Sequence, residues 1–102
     1  MEIIKNLSDM ITEELDGAEQ YINCAIKNKD NMPDLARVFA TISNQEMEHV
    51  RMLHDAVTEI IEKYRQENGE PPAPMMAVYD YIHGKHIDKA AKIKTMQFMF
   101  KS

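Results

Sequence analysis

The stretch that decides the fold is Ile42-Ser43-Asn44-Gln45-Glu46-Met47-Glu48-His49-Val50-Arg51-Met52-Leu53. Apolar residues recur in it at steps of three and four. The same beat runs outward on both sides, through Leu35, Val38 and Phe39 before it and Val57, Ile60, Ile61 and Tyr64 after it. That period is the mark of an amphipathic helix. Asp34 in the first turn, and Lys63 and Arg65 near the other end, have the signs that suit a helix dipole. A helix over about 34–67 is a rod of about 50 Å, too long to bury its whole stripe in a three-helix monomer of this size. The stripe fails at Glu46 and His49, which fall on its core-facing side. Ionised groups are costly to bury unless they are paired or hold a metal. Three residues apart on a helix, their Cβ atoms lie about 5–6 Å from each other. One cation bridges a carboxylate oxygen and an imidazole nitrogen at that spacing.

Breaker clusters flank this helix: Asn28-Lys29-Asp30-Asn31-Met32-Pro33 before it, and Asn68-Gly69-Glu70-Pro71-Pro72-Ala73-Pro74 after it. Asn and Gly end helices, and Pro is tolerated in the first turn of the next. Upstream, Ile4, Leu7, Met10, Ile11, Leu15, Ala18, Ile22, Ala25 and Ile26 form a second amphipathic stripe over about 3–28. The short connection predicts an antiparallel helical hairpin over 1–68. A stiff Pro-rich linker over 69–74 leads to a C-terminal helix over 75–102, with Val78, Tyr81, Ile82, Ala90, Ile93, Gln97 and Phe100 on one face and a bend expected at Gly84. The first helix has its own interruption, Glu14 and Tyr21, on the face of its stripe. Each hairpin therefore offers one inward Glu and one Glu-x-x-His. Helix bundles with two-metal carboxylate sites use two such sets.

Glu14, Tyr21 seven residues on, and Gln45-Glu46-Met47-Glu48-His49 on the next helix resemble the ferritin-like superfamily, closest to the first halves of rubrerythrin and bacterioferritin and to the short encapsulated ferritins. The resemblance covers about residues 7–64. It implies Glu14 and His49 as terminal metal ligands, Glu46 as a bridging carboxylate, and Tyr21 as a hydrogen-bond partner of a ligand carboxylate, with these four residues carrying the chemistry. Longer members carry a second Glu and Glu-x-x-His, and residues 75–102 contain no such motif. The fold expected is therefore all-α: a long helical hairpin plus a C-terminal helix, completed to a ferritin-like four-helix bundle by dimerisation. The activity implied is oxidation of Fe(II) by O2 or H2O2 at a subunit interface, serving iron storage or peroxide removal, with two iron ions per dimer interface. Carboxylates are hard ligands and imidazole is intermediate, which suits iron or manganese; zinc is a further candidate. The alternative reading is a non-catalytic helical assembly module, phage- or shell-associated. A third is a metal carrier without turnover. An electron donor would be a separate protein, since nothing in the chain resembles the four-cysteine iron site of rubredoxin. The shell-docking tail of encapsulated ferritins is not recognisable in Thr95–Ser102.

Other polar residues have blander readings. Glu46 and His49 form a surface pair if the helix is rotated. Glu13 competes with Glu14, Glu19 is a further acidic neighbour, and Glu48 falls off the stripe. His83 and His86 have ligand spacing but no carboxylate stripe beside them, and His54 is expected to be partly exposed. Cys24 reads as a small packing residue. The nine methionines read as flexible fillers of interhelical or subunit contacts.

Composition narrows the function classes. The 102 residues form one domain with a net charge of −5, which argues against a nucleic-acid surface. A chain this short buries only about two-thirds of its unfolded surface, and a second copy supplies the missing core. No run approaches the roughly 20 apolar residues that span a bilayer. The first residues lack a secretory layout, and a single cysteine fits a reducing compartment, so the expected location is the cytoplasm.

Overall fold

The computed structural model describes residues 1–101 and consists, over those residues, of three long helices: α1 (Glu2–Asn28), α2 (Pro33–Asn68) and α3 (Ala73–Lys101). Helix starts and stops follow the expected chemistry. Pro33 opens α2, where its missing N–H costs no bond. Gly69 closes α2 with φ +81, a conformation that favours glycine, and its N–H reaches the Arg65 carbonyl at 3.0 Å. α3 begins inside the expected linker, at Ala73. It runs unbroken through Gly84, so the expected bend is absent as a helix break. Ser102, the last residue of the expected third segment, lies outside the described residues.

α1 and α2 form the predicted antiparallel hairpin. Across it Tyr21 faces Phe39, Ala18 faces Ser43 and Glu14 faces His49. α3 runs parallel to α1, since Met1 meets Met75, Thr12 meets His86 and Asp16 meets Lys89. The result is a rod 56 Å long and 20 × 18 Å across.

The hairpin seam is built from small residues. Ala18 and Ala25 on α1, and Ala36 and Ser43 on α2, are all fully enclosed. Small side chains let two backbones approach closely. That corrects the expected stripe of α2: Leu35 and Val38 lie outside the buried face, at 36% and 52% exposure, while Ala36 and Ser43 lie inside it. Met10 and Ile26 on α1 are likewise exposed. The core is Ile4, Ile11, Leu15 and Ala18 of α1, Val57 and Ile61 of α2, and Ile93 of α3.

α3 is tied on by one buried apolar anchor and several polar contacts. Ile93 is its only buried residue among those described; Val78 and Tyr81, expected on the inner face, are exposed. Gln97 donates from Nε2 to the buried Ser43 hydroxyl at 2.9 Å, and Ser43 donates to the Ala18 carbonyl at 2.7 Å. This relay crosses all three helices and satisfies a hydroxyl that would be costly to bury alone. Lys89 pairs with Asp16, and Lys92 reaches Glu19 at 3.1 Å.

Candidate metal centre

Glu14 comes from the middle of α1, and Glu46 and His49 from the middle of α2, where the small seam residues bring the two helices together. One ligand atom from each of the three lies within 4.8 Å of the others. His49 Nδ1 donates to Glu14 Oε2 at 3.2 Å, since an ionised carboxylate only accepts. The His49 side chain is half exposed and that of Glu14 is 29% exposed, so the group opens to solvent on one side.

The two carboxylates crowd each other. A hydrogen bond from the Glu46 carboxyl holds Glu14 below its ordinary range, and the His49 imidazole adds to that. Glu46 is pushed up by the same hydrogen bond, by burial and by the Glu14 charge. Two carboxylates crowded in this way make a site that a cation relieves, because it neutralises both charges. The donor set, two hard carboxylate oxygens and one intermediate imidazole nitrogen, fits iron or manganese and tolerates zinc.

Gly17 was not evident from the sequence as a site residue. A Cβ at this position would stand 3.1 Å from Glu46 Oε2. The glycine thus makes room for the Glu46 carboxylate to lie against α1. The signal was present in principle, since Gly17 lies one turn past Glu14 on the same face.

The remaining expected residues are placed as follows. Tyr21 packs its ring against Phe39, with centroids 6.2 Å apart, and makes no hydrogen bond to Glu14, Glu46 or His49 among the described residues. Glu13 is exposed and stands outside the group. Glu19 faces α3 and pairs with Lys89 and Lys92. Glu48 pairs with Arg51 at 3.0 Å. Cys24 is half-buried. His83 and His86 do have neighbours: His83 stacks on His54, and His86 meets Thr12.

A helical bundle that brings two carboxylates and an imidazole together at mid-helix is a protein of the ferritin-like class. The chain belongs to the rubrerythrin family: the family model described as Rubrerythrin matches residues 5–97. That family is one of iron-binding, ferritin-like proteins. No curated protein and no solved structure gives a match. Among the described residues, no helix is long and apolar enough to cross a membrane.

Proposed function

We propose that this chain is half of a di-iron protein, and that two copies face each other across Glu14, Glu46 and His49 to oxidise Fe(II) with O2 or H2O2. The observation that carries this reading is a ligand group left open on the face that α3 does not cover. Three ligands suit half of a two-metal site, and a two-fold axis through an isologous contact doubles them. The surroundings support a contact there. Met10 lies one turn before Glu14 and Met52 one turn after His49, and they are 48% and 60% exposed.

In this reading Fe(II) is the substrate. Two Fe(II) would give up one electron each, and with two protons from solvent the pair would reduce O2 to H2O2, or H2O2 to two waters. Glu14 and Glu46 would hold the cations, whose charge relieves the crowding of the two carboxylates. His49 would add an imidazole nitrogen once it leaves its hydrogen bond to Glu14. The same chemistry serves iron storage or peroxide removal, with a shell or a separate electron donor as further partners.

The test is anaerobic Fe(II) loading followed by exposure to O2 or H2O2, with iron per chain, oxidant consumption and sedimentation measured together. Two iron ions per dimer and oxidant consumption lost in Glu46→Ala and His49→Ala support the reading. Equal iron binding by these variants refutes the site. Assembly indifferent to iron, without oxidant consumption, would point to a helical assembly module instead. Stoichiometric iron with no oxidation would mark a carrier.

A further inference from the structure

Away from the carboxylate centre, three histidines gather between α2 and α3. His54 and His83 stack with centroids 4.8 Å apart and planes 17° from parallel. Tyr79 also stacks on His83, with centroids 5.6 Å apart. His86, one turn beyond His83, places Nε2 2.8 Å from Thr12 Oγ1 on α1. All three imidazoles line one groove of about 340 Å³, together with Ile11, Met47 and Val50. We propose that His54, His83 and His86 form a second metal site, which takes one divalent transition ion of the zinc, nickel or copper kind.

The donor chemistry separates this site from the first. Three imidazoles favour ions later in the first transition row, whereas the carboxylate centre suits iron and manganese; the carboxylate that lines the groove, Glu48, is paired with Arg51. Imidazole binds metal only when neutral. Burial lowers the pKa values of His83 and His86, and the neighbouring histidines lower them further. Both are therefore in the ligand form at neutral pH, and an ion need not displace a proton. The charged neighbours do not block the site. Arg51 lines the groove, but its guanidinium is committed to Glu48 and Asp55. Lys94 lies two turns past His86, and the Asp80 carboxylate on α3 favours positive charge at His83.

The three rings do not yet point at one atom. Among the described residues, only Glu14, Glu46 and His49 have ligand atoms already gathered within 4.8 Å. Binding would therefore turn His83 out of its stack toward the groove that it lines. His83 and His86 are three residues apart on α3, a spacing that lets both address one ion. The ion would then fasten α3 to α2 through His54.

The test uses the full chain with the carboxylate centre disabled by Glu46→Ala and His49→Ala, titrated with Zn(II) by calorimetry at pH 7.5. Imidazole proton resonances are followed by NMR. The expected result is one Zn(II) per chain, with shifted resonances for His54, His83 and His86. Adding His83→Phe, which keeps a ring in the stack, should weaken binding at least tenfold. His86→Gln gives an independent reading if circular dichroism shows that His83→Phe has lost helix. The proposal is overturned if the disabled chain binds no Zn(II), or if either folded histidine variant binds it as tightly as its parent. Because the carboxylate centre is absent throughout, these outcomes are independent of the iron reading.

Discussion

Gly17 and Gly84 make a matched pair of probes, because both sit inside helices and only Gly17 lies against the candidate metal centre. An alanine in a helix interior is favoured over glycine by about 0.8–1 kcal/mol. At Gly84 a new Cβ meets nothing within 4 Å, so Gly84→Ala should gain that full amount. For a domain of this size the gain raises the melting temperature by about 4–8 °C, measured at one fixed protein concentration. At Gly17 the new Cβ meets Glu46 Oε2 at 3.1 Å, inside ordinary van der Waals contact. The obstacle is the far end of a flexible side chain, so the carboxylate gives way by a few tenths of an ångström. Gly17→Ala should therefore gain between roughly 0 and 1 kcal/mol, less than Gly84→Ala. Its main effect is on the site. Moving Glu46 off Glu14 shifts one of three candidate ligands and should cost about tenfold in metal affinity. The assay is a melting curve and an anaerobic Fe(II) titration on wild type and both variants. Unchanged iron affinity in Gly17→Ala would refute the claim that this glycine makes room for Glu46. A loss of stability in Gly84→Ala would refute the helical placement of residue 84.

Three further outcomes follow from the packing. Ile93→Ala empties the only buried position of α3 among the described residues and should cost about 2–5 kcal/mol, with hydrogen exchange rising first along α3. Ser43→Ala leaves the Gln97 amide without its acceptor and should cost about 1–3 kcal/mol, read by urea unfolding; Gln97→Leu in the same background should recover part of it. Acidification should loosen α3. His83 and His86 have pKa values lowered from 6.5, so the unfolded chain binds more protons than the folded one as the pH falls through that region. Their contribution is fully present above about pH 6.5 and is lost as the pH drops below it, towards the folded values. Hydrogen exchange in α3 at pH 7.5 and 5.5 checks this, and His83→Phe should flatten part of the dependence.

The hairpin was legible because its information is local and repeated. Apolar steps of three and four, two breaker clusters and Pro33 place both helices to within a residue or two. The grouping of Glu14, Glu46 and His49 was legible from the interrupted stripe, but the expected core-facing placement was not met: the His49 side chain is half exposed and the group sits on an open edge of the hairpin. What stayed hidden depends on contact between helices. Ala36 and Ser43 look too small to define a face, yet small residues are what close approach requires, so the seam displaced Leu35 and Val38 outward. Gly17 matters only once Glu46 is known to lie over it. His54 carried no signal until α3 brought His83 to its ring, a pairing that no periodicity on α2 announces.

The position of α3 explains why the ligand group stays open. Successive residues on a helix turn by about 100°, and on α1 this sorts three rows. Met10, Glu14, Gly17 and Tyr21 form one row. Met1, Thr12, Asp16 and Glu19, the residues that meet α3, form another on roughly the opposite side. Ile4, Ser8, Ile11, Leu15, Ala18, Ile22 and Ala25, the buried residues of α1, run between them. α3 therefore docks about as far from the ligand row as the helix allows. A third helix placed over Glu14 and Glu46 would supply apolar cover but no ligand, and would bury two crowded carboxylates without a counter-charge. Placed where it is, α3 completes the core through Ile93 and leaves the Glu14 and His49 side chains open to solvent, free to take up a cation.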